Sequence, residues 1–368
     1  MPVPLDEYPI HQVPLSFAHV GTTDRGFYDR CYFNAHDRTG DMFLVTGLGV
    51  YPNLGVIDAY ATVRQGNRQH AVRFSDALGD DRLDARVGTY RVEVQEPLHR
   101  IRLVCDASRE DVAFDLTWEG SFPAVQEQPH VITHGARTIL DTARFAQVGT
   151  WSGTLTVAGT DVAVTPDRWL GTRDRSWGIR PVGEPEPPGR NAAEPATSGF
   201  WWLYAPLRFD EFALVVIIQE LADGYRTLND ATRVWADGRV EQLGWPRVEI
   251  SYRSGTRHPE HAVLHLTTTA GEALAVEIDT LTSVALHVGA GYGADPEWNH
   301  GRWMGRGWSN AVTYDLTDPA IVARTPFGVI DHAARATCNG AEGFGLLEHA
   351  SIGRHDPTGF ADLAAVAP

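Results

Sequence analysis

Most of the chain reads as short runs in which apolar and polar residues alternate, closed by turn residues roughly every eight to twelve positions. A period of two puts successive side chains on opposite faces, as in a strand with one face buried. Residues 91–95, 100–105 and 112–118 alternate in this way, and 43–50 is apolar with Gly47 and Gly49 inside the run. Residues 56–63 lead into Gln65-Gly66-Asn67-Arg68, which reads as a hairpin turn, and 70–74 returns. A compact hairpin is predicted over 155–164, turning at Gly159-Thr160. Another is predicted over 234–240 about Asp237-Gly238, and a third pairs 263–268 with 274–278 across Ala270-Gly271. Amphipathic helix patterns are nearly absent: 319–324 and 358–366 each predict a turn or two of helix. No strand, GxGxxG turn and helix follow one another, which argues against a dinucleotide-binding domain. The predicted fold class is all-β and antiparallel, built as barrels or sandwiches.

The clearest interruption is 181–198, with Pro181, Pro185, Pro187, Pro188 and Pro195 and little apolar content. It is predicted to be an exposed loop or linker. The expected organisation is therefore an N-terminal β-domain over 1–180, a Pro-rich linker over 181–198, and a C-terminal β-domain over 199–368.

Composition narrows the partners. The 368 residues are 43% hydrophobic and include 11 Trp, 11 Tyr and 14 Phe, enough for two cores and an aromatic-lined pocket. The net charge of −16 opposes binding to nucleic-acid phosphates or anionic lipid, and no basic run reverses it locally. Every basic residue is Arg, so Schiff-base, P-loop and kinase-type Lys chemistry is excluded. Cys31, Cys105 and Cys338 are far apart and odd in number, which argues against a disulfide framework and fits a reducing compartment. Residues 1–17 show no signal-peptide pattern, and the longest apolar run, 212–218, is about a third of a membrane span. The expectation is a cytoplasmic protein with no integral membrane segment.

Three clusters are candidates for chemistry. In 170–180, Asp174 lies between Arg173 and Arg175, with Trp177 and Arg180 beyond. The segment reads either as an Arg–Asp brace with Trp as core filler, or as a polar cluster at the floor of an apolar cavity. In 295–308, Trp298, Trp303 and Trp308 accompany His300, Arg302 and Arg306, with Gly at 301, 305 and 307. This reads either as a Trp-stitched core or as a ligand pocket whose ring faces stabilise a cation. In 200–204, Phe200, Trp202 and Tyr204 face one way and Trp201 and Leu203 the other, as in a barrel wall or a plain core. His258, His261 and His265 lack a third ligand at clear spacing and read as a solvated edge, so no metal site is expected. Glu348-His349 with His355-Asp356 is a similarly weak signal. Ser176 has no nucleophile-elbow context.

Two stretches, Phe27-Tyr-Asp-Arg-Cys-Tyr-Phe-Asn-Ala-His-Asp37 and Gly49-Val-Tyr-Pro-Asn-Leu-Gly55, resemble the amino-terminal signature of the hydroxyneurosporene synthase (carotenoid 1,2-hydratase)-like superfamily. Gly171-Thr-Arg-Asp-Arg-Ser-Trp-Gly178 resembles its central Arg-Asp-x-Ser-Trp-Gly segment, and Glu297-Trp-Asn-His-Gly-Arg-Trp303 its carboxy-terminal one. The similarity spans about residues 20–350. It implies two lipocalin-like β-barrel domains side by side and a hydrophobic ligand, often isoprenoid or polyketide. Some members hydrate a carotenoid double bond, and others of this architecture close rings. The carry-over covers Asp174 and Trp177.

Two functions follow as expectations. The first is a cofactor-free hydratase-like lyase, isomerase or cyclase acting on a terpenoid, lipid or polyketide-like olefin, with Asp174 and His300 catalytic. Asp174 would serve as the acid, its pKa raised by apolar burial. Trp177, Trp201, Trp202, Tyr204, Trp298, Trp303 and Arg173 are the expected substrate-binding residues. Strand alternation sets Arg173 and Arg175 on the face opposite Asp174, so their opposition to a raised pKa is weak. The second is a carrier of a hydrophobic small molecule, with the same cavity and no chemistry. The pocket is expected at the seam between the domains.

Overall fold

The computed structural model describes residues 12–107, 111–185, 199–293, 295–325 and 328–368, so most of the Pro-rich stretch (186–198) lies outside the described residues. Thirteen described strands precede that stretch: β1 (Phe27–Asp37), β2 (Met42–Tyr51), β3 (Val56–Gln65), β4 (Arg68–Ala77), β5 (Arg86–Val87), β6 (Tyr90–Glu96), β7 (Arg100–Ala107), β8 (Val112–Gly120), β9 (Val125–Gln126), β10 (His130–His134), β11 (Arg137–Val157), β12 (Thr160–Val164) and β13 (Trp169–Ile179). Ten follow it: β14 (Gly199–Arg208), β15 (Phe212–Leu221), β16 (Arg226–Trp235), β17 (Val240–Gln242), β18 (Arg247–Tyr252), β19 (Pro259–Thr267), β20 (Ala273–Ala285), β21 (Trp308–Asp315), β22 (Ile330–Cys338) and β23 (Ala341–Gly353). The fold is all-β and antiparallel, as the alternation predicts.

The strands form two curled sheets packed side by side as half-barrels. The first runs β21-β4-β3-β2-β1-β13-β11-β8-β7-β6-β5, with β9, β10 and β12 attached to β11. The second runs β17-β16-β15-β14-β23-β22-β20-β19-β18. Pairing follows the Pro-rich division with one exception. Strand β21, from the C-terminal half, leaves its neighbours and pairs with β4 at the edge of the first sheet. Long β11 is shared: Asp141–Thr150 pair with β13, and Gly149–Val157 pair with β8.

Two local expectations need correction. The 155–164 hairpin turns at Ala158-Gly159, and Thr160 already pairs with Val157. Both turn residues have positive φ (48° and 76°), as a two-residue hairpin turn requires. No helix forms over 358–366. A single 3-10 turn, Asp356–Thr358, ends at Gly359 with φ 78°, and Phe360 then bridges back to His355. The carbonyls of Asp362 and Ala365 accept from Arg257, which holds the tail in irregular form. At 319–324 a single α-helical turn forms over Pro319–Val322.

Burial occurs in three layers. One core fills the first sheet (Phe33, Leu44, Leu48, Trp118, Trp151). Another fills the second sheet (Trp201, Leu203, Leu214, Val216, Ile218). The third lies between the sheets and takes Tyr32, Phe43 and Val45 from the first, with Trp202, Tyr204, Val215 and Ile217 from the second. The apolar run 212–218 follows from this, because β15 buries alternate side chains in two different cores.

Gly171 on β13 marks how closely β1, β13 and β11 pack. A Cβ there would sit 2.0 Å from the Asn34 carbonyl oxygen and 2.8 Å from Trp151 Nε1, and that indole donates to the same carbonyl at 2.8 Å. Gly171→Ala is therefore expected to lower stability by about 2 kcal/mol or more in urea denaturation. An unchanged midpoint would show that the three strands are not locked there.

Candidate functional site

Strand register builds the site. Across β1 and β13, Tyr32 pairs with Asp174 and Arg30 with Ser176. On the other side of β13, Ala146 pairs with Asp174 and Arg144 with Ser176. Alternation then presents Tyr28, Arg30, Tyr32, Thr142, Arg144, Asp174 and Ser176 on one face, where they line an inner cavity of about 120 Å3. The second sheet supplies the facing wall: Phe200 and Trp202 from β14 and Glu348 from β23, joined by Tyr292 and Val329. The cavity therefore lies at the seam. Arg30, Arg180 and Tyr292 also line an outer cleft of about 800 Å3 that reaches His300 and Asn299. A separate cleft of about 460 Å3 runs along 83–93. It is lined in part by surface ion pairs such as Arg86–Asp84 and Arg91–Glu93 and lies away from this chemistry.

Asp174 is half-buried, and its carboxyl opens into the cavity. Among the described residues it has no hydrogen bond and no ion pair. Burial raises its pKa to about 7; the charges of Glu127 and Glu348 add to this, and those of Arg144 and Arg30 oppose it. Arg144 is committed elsewhere: its Nε donates to Glu127 Oε2 at 2.6 Å, and its guanidinium packs 4.8 Å from the Tyr204 ring and 5.4 Å from Trp202.

The aromatic wall is ordered by stacking. Trp202 lies between His130 (5.6 Å) and Phe200 (6.2 Å), both nearly parallel to it, and donates from Nε1 to Glu348 Oε1 at 2.5 Å. Burial, and then the Arg144 charge, hold His130 down to about 4, so it is neutral near pH 7. Behind the wall, Tyr32 donates to Asp331 Oδ2 at 2.5 Å. Burial and the adjacent Glu348 charge hold Asp331 well above the usual carboxylate range.

His300 lies at the outer cleft among the rings of Tyr292 (4.8 Å), Trp298 (5.0 Å) and Tyr60 (5.1 Å). Its Nδ1 is 3.7 Å from Asp58 Oδ1, too far for a hydrogen bond. Burial, then Arg30 and Arg180, push its pKa well below the ordinary value, so the pair is not ionic near neutral pH. Burial raises Asp58 to about 7, although Gly301 N–H (2.6 Å) and Tyr51 (3.1 Å) donate to it.

Of the residues singled out in the sequence, Asp174 and Trp202 line the inner cavity and His300 the outer cleft. Tyr204 and Trp298 are buried one layer behind. Trp177 and Arg173 lie on the opposite face of β13 and pack on Phe145, where Arg173 donates to Gln147 at 2.8 Å. The alternation that takes Arg173 away from Asp174 takes Trp177 with it. Arg175 pairs with Asp29 at 3.0 Å. Trp201 faces the second core, stacked on His355. Trp303 is 49% exposed. His261 and His265 pair with Asp279 and Glu249 at the surface.

The sequence reading passed over Tyr28, Arg30, Tyr32, His130, Arg144 and Tyr292, and set Glu348 aside as part of a weak signal. For the first three a signal exists: Tyr28, Arg30, Tyr32, Asn34 and His36 recur at every second position, and β1 is the partner of β13. Among the described residues, no group of His, Cys, Asp or Glu is arranged to hold a metal ion, and no helix is long and apolar enough to cross a membrane.

The sequence profile of a family of unknown function (DUF8625) matches residues 3–361. No curated protein matches the sequence. Among solved structures, the chain is similar to a putative AttH from Nitrosomonas europaea, with TM-score 0.54, 16% identity, and coverage of 93% of this chain and 98% of that one. It is also similar to kievitone hydratase from Nectria haematococca, with TM-score 0.50, 16% identity, and coverage of 88% and 89%. At these identities the likeness is one of fold, and at that level it agrees with the two-barrel architecture implied by the sequence resemblance.

The raised pKa of Asp174 fixes the sign of a stability effect. The unfolded chain releases this proton near pH 4 and the folded chain near pH 7, so stability is lost as pH rises through that window. Asp174→Asn is expected to raise the melting temperature at pH 8 by a few degrees and to leave it nearly unchanged at pH 4. A lower melting temperature at pH 8 would identify Asp174 as a structural brace.

Proposed function

The chain belongs to DUF8625, a family of unknown function, and from its site we propose a cofactor-independent lyase, isomerase or cyclase acting by acid catalysis on a hydrophobic olefin, such as an isoprenoid. The observation that carries this reading is Asp174, a carboxyl open to an aromatic-walled cavity, free of ion pairs among the described residues and poised near pH 7. In its protonated form it donates to an alkene carbon. The π pair forms the new C–H bond, the O–H pair stays on the carboxylate, and the neighbouring carbon becomes cationic. The rings of Phe200 and Tyr292, which line the cavity, then shield that cation. Water addition with return of a proton to Asp174 gives hydration, loss of an adjacent proton gives isomerisation, and attack by a second double bond gives ring closure.

Kievitone hydratase, a relative in fold, is a hydratase by name, which suits the first of these outcomes. A carrier of a hydrophobic molecule would need the cavity but no acid, and burying an unpaired carboxyl for no purpose is costly. His300 is a candidate for a proton-accepting role at the outer cleft, because neither of its ring nitrogens has a hydrogen-bond partner among the described residues.

In a screen of olefinic terpenoids, Asp174→Asn is expected to abolish turnover while the variant stays folded. The parent rate should fall as pH rises past about 7, because only the protonated carboxyl donates. A fully active Asp174→Asn variant, or a parent that retains a stoichiometric ligand unchanged by native mass spectrometry and turns over none of the screen, would favour the carrier.

A further inference from the structure

Arg30 and Arg180 stand where the inner cavity meets the outer cleft, and each lines both. Arg30 is only 8% exposed. Neither has a carboxylate within ion-pairing distance among the described residues. Of the other enclosed arginines, Arg73 holds Glu297 at 2.9 Å and Arg144 holds Glu127 at 2.6 Å, while Arg173 donates to Gln147 and Arg257 to backbone carbonyls. Arg30 is ringed by the neutral phenols of Tyr28, Tyr51, Tyr60 and Tyr292, and the nearby carboxyls that feel its charge, Asp58 and Asp174, form no ion pair with it and have pKa values raised to about 7. Its guanidinium carbon is 5.4 Å from the centre of the Tyr28 ring, and that of Arg180 is 5.5 Å from the same centre. Two cations thus flank one ring at the neck of a cavity in a chain of net charge −16. A buried guanidinium left without an anion is strongly disfavoured unless something completes it.

We propose that the missing anion is the substrate's own: a carboxylate bound by Arg30 and Arg180, which makes the substrate an unsaturated carboxylic acid with an apolar tail. The planar fork of a guanidinium matches a carboxylate in bidentate fashion. Register fixes where the rest of the molecule lies. Arg30 pairs with Ser176, two residues from Asp174 on the same face, so acid and anion site are roughly 7 Å apart along the sheet. The reacting double bond is then a few carbons from the carboxylate, beneath Trp202. This rests on the acid role of Asp174 given above and narrows its substrate class.

The probes are geranic acid and geraniol, with the same apolar chain, one anionic and one neutral. Binding is followed by calorimetry and by quenching of tryptophan fluorescence. The parent is expected to bind geranate at least about tenfold more tightly than geraniol, with the preference shrinking as salt rises. Arg180→Gln and Arg30→Gln should each remove about tenfold of the geranate affinity and change geraniol binding less than about twofold. Arg180 is partly exposed, so its variant keeps the test intact if Arg30→Gln does not fold. Equal affinity for the two probes, binding of neither, or Arg180→Gln weakening both alike overturns the anion site. Failure of the acid role reads out separately: a catalytically active Asp174→Asn variant that keeps the geranate preference sinks Asp174 and leaves the anion site standing.

Discussion

The layer between the two sheets has to receive side chains from both, and everything at the site follows from that shared burial. Strands β2, β14 and β15 bury both faces, one in their own core and one in the shared layer. Where β1, β13 and β11 meet it, the layer stops being apolar. There the first sheet contributes Arg, Tyr, Asp and Ser, and the second answers with Trp202, Phe200 and Glu348. A polar patch set against aromatic rings does not close-pack, and the cavity is what remains.

The same enclosure sets the electrostatics. Burial strengthens the effect of each charge, so each is favoured to find a partner or to shift toward its neutral form. Arg144 has Glu127, and Trp202 caps Glu348. Asp331, its pKa held well above the usual carboxylate range, accepts from Tyr32. Among the described residues, Asp174, Arg30 and Arg180 line the void without an ion pair, the first a carboxyl poised near neutrality and the other two cations. All three face the void, which is where a ligand would supply what the protein does not.

Loops from the C-terminal half close the arrangement. The 291–303 segment brings Tyr292, Trp298 and His300 against Tyr60 of β3, and the chain then continues into β21 at the edge of the first sheet. Arg73 of β4 anchors this excursion through Glu297 and Asn310. Gly291 and Gly301, with φ 75° and 78°, lie within it where a Cβ would meet Trp298 at 2.2 Å or Tyr51 at 3.0 Å. The second half of the chain therefore completes a wall of a site whose floor belongs to the first.

Alternation, turn residues and the near absence of helix periodicity were enough to predict an antiparallel all-β fold, because strand faces and hairpin turns are local properties. They also set Asp174 apart from Arg173 and Arg175, since neighbours along a strand face opposite ways. Composition made an aromatic pocket expected, but which rings line it depends on the face each strand turns to the seam. That is why Trp202 lines the cavity while Trp177 and Trp201, equally prominent in the sequence, do not. Tyr32 and Asp174, 142 positions apart, become neighbours only through β1–β13 pairing. Glu348 reaches the same void only because the second sheet packs across it. The local pattern determined each strand and its two faces; strand order and the packing of sheet on sheet decided which faces meet, because those contacts join residues that share no sequence neighbourhood.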